Sequence, residues 1–331
     1  MKKRFPLREF GACVGMLLLI LDSKTALAGA QTGVDLIINT VIPALFPFFF
    51  LSSMLLSSQD TDSFSILRPI GRLFRIPDGM ETLLIPSFLG GYPAGAHAVF
   101  TAWRQDRISK ESSEKALCFC SNAGPSFIFG ILPALFSDMW MCWLLWGLQI
   151  LGAFISARLF FCDCTVHFNH EVTQPRKALP DILANAMGIM GAVCGWLLLF
   201  RIVLAFTEKW LFQHLSQWGH VLISGFLELT NGCCMLYQIQ DLRLRFTVCS
   251  LMLSAGGLCV LLQTRSVTKG LSLKWYYLGK CFQSLFCCFA SVGIFYNVWF
   301  PLLLLLAAVF LGNKYKKTVA FHKYVVYNGT T

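Results

Sequence analysis

The structure of this chain depends most on one segment, Thr82-Leu-Leu-Ile-Pro86-Ser-Phe-Leu-Gly90-Gly91-Tyr92-Pro93-Ala94-Gly95-Ala96-His97. It is apolar enough to enter a lipid bilayer, yet its three glycines and two prolines do not suit a continuous helix. A second apolar segment, residues 219–239, carries polar residues from Glu228 to Gly232 near its middle. Interrupted backbone at membrane depth is tolerated only where protein or a water-filled cavity surrounds it. Both segments are therefore predicted to form re-entrant helical hairpins.

The composition of the whole chain indicates the same environment. Of its 331 residues, 56% are hydrophobic and 13% are charged, whereas a soluble domain carries about 25% charged residues. A water-soluble globule of this size cannot bury so much apolar side chain, which excludes a cytosolic enzyme, a disordered protein and a secreted disulfide scaffold. We expect an all-α polytopic membrane protein with the lipid bilayer as its partner. The 14 cysteines lie mostly in apolar runs and are interpreted as reduced and structural.

Eight further apolar segments are interpreted as membrane spans, since a span needs about 20 residues. They are residues 10–30, 34–57, 116–136, 140–161, 182–206, 246–264, 276–296 and 297–312. The last two form one apolar run, which Asn297 and Pro301 are expected to divide. The first segment resembles a signal peptide, with Ala26-Leu27-Ala28 at its end, but we expect it to remain as an uncleaved helix.

The basic residues predict the orientation of these spans. If both hairpins enter and leave on one side and the N-terminus is cytoplasmic, the inner segments hold 21 Lys and Arg and the outer segments hold 4. If both hairpins cross fully, the split falls to 15 against 10. Arg201 and Lys280 lie within spans and are left out of both counts. The positive-inside rule favours eight spans with both termini cytoplasmic, and it explains the net charge of +10 without a nucleic-acid partner.

Two pairs of similar strings indicate an internal repeat. Residues Asp35 to Asn39 resemble Asp181 to Asn185, and Ser121 to Pro125 resemble Leu253 to Gly257. The two halves would begin on opposite faces of the membrane, which makes the repeat inverted. Inverted repeats are common in secondary transporters, whose binding sites lie near the midplane where discontinuous helices meet.

The four interrupted elements predict a binding site. Backbone N–H groups freed at a half-helix N-terminus attract anions, and freed carbonyls attract cations, so the site suits a small solute with a carboxylate or hydroxyls. The alternative is that Gly and Ser only allow close helix packing. The candidate substrate-binding residues are Gly90, Gly91, Tyr92, Gly95, Ser121, Asn122, Gly124, Ser126, Glu228, Thr230, Asn231, Gly232, Ser254, Gly256 and Gly257.

Glu228 is the most specific single candidate, because an ionisable group at mid-membrane indicates function. It would carry a coupling proton or bind a sodium ion; alternatively, it is a protonated Glu bonded to a neighbouring helix. His97 is more typical of a capping or packing residue. Cys162, Cys164, His167 and His170 supply four soft ligands, but their spacing is tighter than that of zinc sites, so we predict no metal and no other cofactor. No catalytic constellation is visible, and an enzyme is not expected.

Several of these strings resemble a known family. Ile42 to Phe48, Gly90 to Ala96, Asn122 to Gly130, Leu227 to Gly232, and Gly256-Gly257 with Gln263 follow the order found in sporulation integral membrane proteins of the YlbJ type. That family carries paired nucleoside-recognition (Gate) domains, and the resemblance covers residues 30–300. The string Gly-Tyr-Pro-x-Gly-Ala is its most specific part. The family pattern places a histidine shortly before the final Gln, where this chain has leucines.

The resemblance implies five regions and a role. They are an N-terminal helix at 1–33, a first Gate-like repeat at 34–161, a cytoplasmic linker at 162–180, a second, inverted repeat at 181–312 and a basic cytoplasmic tail at 313–331. It also implies a bacterial membrane protein of the mother cell or outer forespore membrane, associated with spore cortex formation and with the movement of dipicolinate. We therefore expect a transporter of a dipicolinate-like solute that works by alternating access. A nucleoside-type transporter and a non-transporting assembly protein are the alternatives, and a homo-oligomer is compatible with each of them.

Overall fold

The structure is a computed structural model that describes residues 7–57, 66–74, 76–77, 79–160 and 178–307. All regular secondary structure in these ranges is helical. Five helical rods are long and apolar enough to cross a membrane: Ser23–Leu55, Met139–Phe160, Leu179–Trp210, Leu242–Val267 and Lys274–Tyr296. The prediction of an all-α polytopic membrane protein is confirmed.

Among the described residues, the first half of the chain forms nine α-helices. They are α1 (Leu7–Leu21), α2 (Ser23–Leu36), α3 (Ile42–Ser57), α4 (Arg68–Leu73), α5 (Leu84–Phe88), α6 (Ala94–Arg104), α7 (Lys110–Ala116), α8 (Pro125–Gly130) and α9 (Met139–Phe160). The second half contributes α10 (Leu179–Trp210), α11 (Gln217–Leu227), α12 (Leu229–Met235), α13 (Leu242–Ala255), α14 (Gly257–Val267) and α15 (Lys274–Tyr296), and residues 300–307 are also helical.

Two long rods form one side of the molecule. A π-helical turn at Ile37–Val41 joins α2 to α3, so that the chain is helical without a break from Ser23 to Ser57. This rod packs antiparallel to α10. Asp22 pairs with Lys209 at one end of the contact, and Asn185 donates a hydrogen bond to Ser53 at the other. Buried side chains, among them Phe49 and Ile189, fill the contact. The first long helices of the two halves thus run in opposite directions, as an inverted repeat requires.

The predicted division between spans at 10–30 and 34–57 is wrong. The chain interrupts its helix at Asp22, whose carboxylate accepts the N–H of Thr25 and caps α2. The helix then continues through residues 30–34, because Gly29 and Gly33 lie directly against α10 there and leave no room for a side chain. The packing of α2 on α10 therefore decides the boundary, and the apolar pattern alone does not reveal it.

Both predicted hairpins reverse direction instead of continuing as rods. In the first, the chain turns between Phe88 and Ala94, through a cis bond between Tyr92 and Pro93, and α6 packs back on α5. In the second, α12 folds back on α11 at Glu228. These reversals place the two tips inside the protein, where other elements surround their free backbone groups.

An interrupted crossing follows each hairpin. Residues 117–124 separate α7 from α8, and Gly256 and Gly257, with φ of 84° and 72°, separate α13 from α14. The closing helices α9 and α15 pack together. Helix α15 ends at Asn297, with φ of 55°, and Trp299 lies against Gly293, so the predicted turn at Asn297 is confirmed. Each half therefore contains a long helix, a hairpin, an interrupted crossing and a closing helix, in that order.

Candidate functional site

A cavity of about 530 Å³, including the space at its mouth, lies between the two long rods and the hairpin tips. Only about 60 Å³ of this space is open to water-sized molecules, so a solute would enter once the surrounding elements move apart. Most of its wall is apolar and comes from both halves, for example Ala44 and Phe127 from the first and Val193 and Val260 from the second. The polar lining residues are Thr40, Tyr92, Glu228, Thr230 and Gln263. The cavity is thus largely apolar, with a small set of polar groups.

Tyr92 connects the tip of the first hairpin to the second half. Its side chain is buried, and its hydroxyl donates a hydrogen bond of 3.0 Å to the carbonyl oxygen of Leu253. Leu253 lies near the C-terminal end of α13, next to the interruption at Gly256. A carbonyl close to a helix end has no regular helical partner, so the phenol satisfies it. The ring of Tyr92 meanwhile forms part of the cavity wall.

Glu228 caps the second arm of the other hairpin. Its two carboxylate oxygens accept the N–H groups of Thr230 and Asn231, each at 2.8 Å. The guanidinium of Arg201 lies 3.9 Å from the same carboxylate and donates a hydrogen bond of 2.9 Å to the side-chain oxygen of Asn231. The carboxylate therefore accepts from two backbone N–H groups and lies near a cation. The N–H groups that were predicted to hold a solute anion are occupied by Glu228 itself.

Arg201 belongs to this site, although it was left out of the count of charges. It lies on α10 and reaches across to the hairpin tip, so that it joins the long rods to the second hairpin. The signal was present in the sequence, because a Glu at membrane depth needs a partner and Arg201 interrupts a nearby apolar run. Gln263, near the end of a predicted span, also lines the cavity and is 5% exposed.

Asn122 lies in a polar network away from the cavity lining. Its amide donates to the carbonyl oxygens of Phe119 at 2.8 Å and Ser87 at 3.4 Å, and its oxygen accepts from Gln283 at 2.8 Å. Gln283 also donates to the carbonyl oxygen of Gln149, whose side chain accepts the N–H of Ala123. The network holds residues 117–124 between the first hairpin, α9 and α15. Its geometry indicates a structural role for Asn122.

The predicted glycines mostly lie where two backbones touch. A Cβ on Gly95 would overlap the carbonyl oxygen of Cys120, and one on Gly232 would overlap the backbone of Gly225. Gly91 and Gly124 face each other, with 2.9 Å between a Cβ built on Gly91 and the Gly124 nitrogen. Gly257 packs in the same way on the end of α11, and Gly90 on α5. Close packing, the alternative stated for these positions, explains their identity.

The remaining candidates are dispersed. The hydroxyls of Ser121 and Ser126 are buried without a hydrogen-bond partner, whereas Ser254 donates to the carbonyl oxygen of Ser250. His97 is half-buried beside Phe100. In the part of the chain that the structure describes, no three metal-ligating groups come together. Cys162, Cys164, His167 and His170 lie outside the described residues. Of the predicted site residues, the cavity brings together Tyr92, Glu228 and Thr230.

Comparison with known proteins gives one informative relative. The chain is 23% identical over 336 residues to the sporulation integral membrane protein YlbJ of Bacillus subtilis (strain 168), and the match covers 86% of this chain and 80% of that protein. No family model matches the chain, and no solved structure matches it significantly. The match confirms the resemblance that the motifs predicted and extends it over most of the chain. The protein is therefore a multi-pass integral membrane protein similar to a sporulation protein.

Proposed function

We propose that this protein is a transporter that moves a small polar or anionic solute across a membrane of the sporulating cell by alternating access. The observation that carries the proposal is the position of the cavity, since elements of both inverted halves form its wall. Secondary transporters with inverted repeats place their sites in this way and move one part of the fold against the other. The solute would occupy the cavity between the long rods and the two hairpin tips.

The contact between Arg201 and Glu228 provides a gate for this movement. It is the charged contact between α10 and the second hairpin, and both side chains are largely buried. An ion pair of this kind fixes two elements relative to one another while it remains intact. A coupling proton or sodium ion that neutralised Glu228 would release Arg201 and allow the hairpin to move. Glu228 is therefore the proposed coupling carboxylate, and its partner Arg201 is the residue that senses its charge.

The proposed solute class is a small carboxylate of the dipicolinate type. The relative's name associates it with sporulation, and dipicolinate is the solute that the motif resemblance implies. A nucleoside is the alternative, because the cavity wall is mostly apolar and its polar groups are hydrogen-bonding side chains. The two solutes differ in charge, so one assay can compare them.

The test is uptake into liposomes that contain the purified full chain. Labelled dipicolinate and labelled uridine are offered in parallel, and uptake is measured with and without gradients of protons and sodium. We expect uptake of dipicolinate to exceed that of uridine and to fall at least tenfold in Glu228→Gln. Glu208→Gln makes the same chemical change at an exposed position of α10 and should retain wild-type uptake. A folded protein that moves neither solute would contradict the proposal and favour an assembly role.

A further inference from the structure

Lys280 is a buried charge that the gate described above does not use. It lies on α15, the closing helix of the second half, and is 6% exposed. Its ammonium donates a hydrogen bond of 3.1 Å to the side-chain oxygen of Gln283. It also lies 5.6 Å from the centre of the Tyr92 ring, a distance suited to a cation–π contact. These two contacts connect Lys280 to the polar network on one side and to the cavity wall on the other.

The surroundings of Lys280 lack the partner that a buried ammonium needs. Among the described residues, no carboxylate lies within 4.0 Å of it. A buried cation is unfavourable unless an anion and hydrogen bonds compensate it. One amide oxygen and one ring face satisfy only part of an ammonium that carries three N–H donors. The site therefore has the capacity to take up one negative charge.

Tyr92 separates this ammonium from the cavity. The same ring that contacts Lys280 also forms part of the cavity wall, and its hydroxyl is held by Leu253 on α13. A rotation of the Tyr92 side chain would expose Lys280 to a solute in the cavity. The Tyr92 ring thus lies between the cavity and the Lys280 ammonium.

Three buried hydroxyl groups lie beside one another in this part of the fold. They belong to Ser121, Thr264 and Tyr276, and they are close enough to interact with one another. Tyr276 is one helical turn before Lys280 on α15, and Thr264 follows the cavity-lining Gln263. Hydroxyl groups donate readily to carboxylate oxygens. Ser121 and Thr264 come from the interrupted crossings of the two halves, and Tyr276 comes from α15.

We propose that Lys280 binds a carboxylate of the transported solute, and that the Tyr92 ring must move from its position over the ammonium before the two meet. The inference rests on the proposed transport function and narrows its solute class to carboxylates. Arg201 already pairs with Glu228, so Lys280 is the buried cation that remains for the solute among the described residues. In this arrangement Arg201 and Glu228 control movement, whereas Lys280 recognises charge.

The test compares Lys280→Met and Lys280→Arg with the wild type and with Lys274→Met, which makes the same change at an exposed position of α15. Binding of dipicolinate is measured by calorimetry on the purified full chain. Dipicolinamide, which has the same ring with neutral amides, and uridine are measured in parallel. Methionine fills a similar volume without a charge, so we expect Lys280→Met to unfold at the wild-type temperature or above it, and thermal unfolding checks this.

The expected result is a fall in dipicolinate affinity in Lys280→Met on the order of 10- to 100-fold, the size expected when a hydrogen bond to a charged group is lost. Affinity for dipicolinamide should not change in that variant, and Lys280→Arg should retain part of the preference for the carboxylate. Wild-type affinity for dipicolinate in Lys280→Met would overturn the role of Lys280 and leave the transport function intact. Binding of uridine without dipicolinate would also overturn it. Binding of none of the three would contradict the transport function itself.

Discussion

Asn122 accepts a hydrogen bond of 2.8 Å from Gln283, although the two residues are 161 positions apart in the chain. The bond joins the interrupted crossing of the first half to the closing helix of the second. Gln283 in turn bonds Lys280, so the same two side chains connect the interruption to the buried ammonium. The side chains that stabilise the fold therefore lie beside the ammonium that we propose to bind the solute. Different mutations are needed to test these two roles.

Asn122→Ala should destabilise the protein without a direct effect on solute contact. The change removes one of the two acceptors of the Gln283 amide and leaves two backbone carbonyls without this donor, and an unsatisfied buried group costs about 1–3 kcal/mol. Thermal unfolding in detergent measures the loss. Ser126→Ala is the control, since its buried hydroxyl has no partner to lose. A wild-type unfolding temperature for Asn122→Ala would show that the network does not hold the interruption.

Glu228→Gln and Arg201→Met should each destabilise the protein, and the double variant should lose less stability than the sum of the two single losses. Each single change leaves one charge buried without its counterpart, at a cost of about 3–5 kcal/mol. The double variant leaves neither charge alone, so its loss should be smaller than the sum of the two. A double-mutant cycle measured by chemical unfolding gives the coupling between them. Strictly additive losses would mean that the 3.9 Å contact contributes nothing.

Gly95→Ala should be poorly tolerated, whereas Gly188→Ala should be neutral or stabilising. A methyl group at Gly95 would overlap the Cys120 carbonyl oxygen, which is backbone and cannot rotate away. Gly188 lies on the exposed face of α10 with open space around it. There, Ala should add roughly 0.5–1 kcal/mol by restricting the unfolded chain. Expression level and unfolding temperature compare the two, and equal behaviour would contradict the close approach at Gly95.

The ion pair between Asp22 and Lys209 tests the antiparallel arrangement of the long rods. The hydrogen bond from Lys209, together with one from Thr25, holds the pKa of the Asp22 carboxyl below its usual value of 3.8. A carboxyl with a lowered pKa in the folded state stabilises the fold at neutral pH. That contribution disappears as the pH falls below the ordinary value and through the lowered one. The unfolding temperature of the wild type should therefore drop in this range more steeply than that of Lys209→Met.

A charge reversal provides the control for that pair. Asp22→Lys places two cations together and should lower the unfolding temperature slightly, since exposed pairs contribute little. Adding Lys209→Asp should restore it, because the opposite charges then face each other again. Failure of the second change to restore the first would indicate that α2 and α10 are not paired in this register.

The sequence alone predicted the elements whose cause is local. Glycine and proline interrupt a helix wherever they occur, so the turn between Phe88 and Ala94 was visible in the string around Tyr92. The break at Asn297 followed from a run too long for one helix. The cap at Asp22 was also local, but the apolar pattern on either side of it hid the interruption.

The site was less predictable because its contacts join distant parts of the chain. Glu228 was found from the cost of its charge, but its pairing with Arg201 depends on how α10 crosses the second hairpin. Lys280 was visible as a charge within a span, yet its position beside the Tyr92 ring arises only in the folded chain. The glycines were assigned to solute binding, whereas the contacts between backbones that require them form only in the folded protein.

The backbone contacts at Gly91, Gly95, Gly232 and Gly257 determine which elements of the protein can move relative to one another. Two backbone segments in direct contact have no flexible side chains between them that could adjust to a relative movement. Each hairpin is therefore expected to move together with the crossing beside it. Contacts of the hairpin tips with the long rods, such as that of Arg201 with Glu228, involve side chains, which can separate without a rearrangement of the backbone. Any opening is therefore expected between the long rods and the hairpin tips, where the cavity lies. Each hairpin would then move together with the crossing beside it.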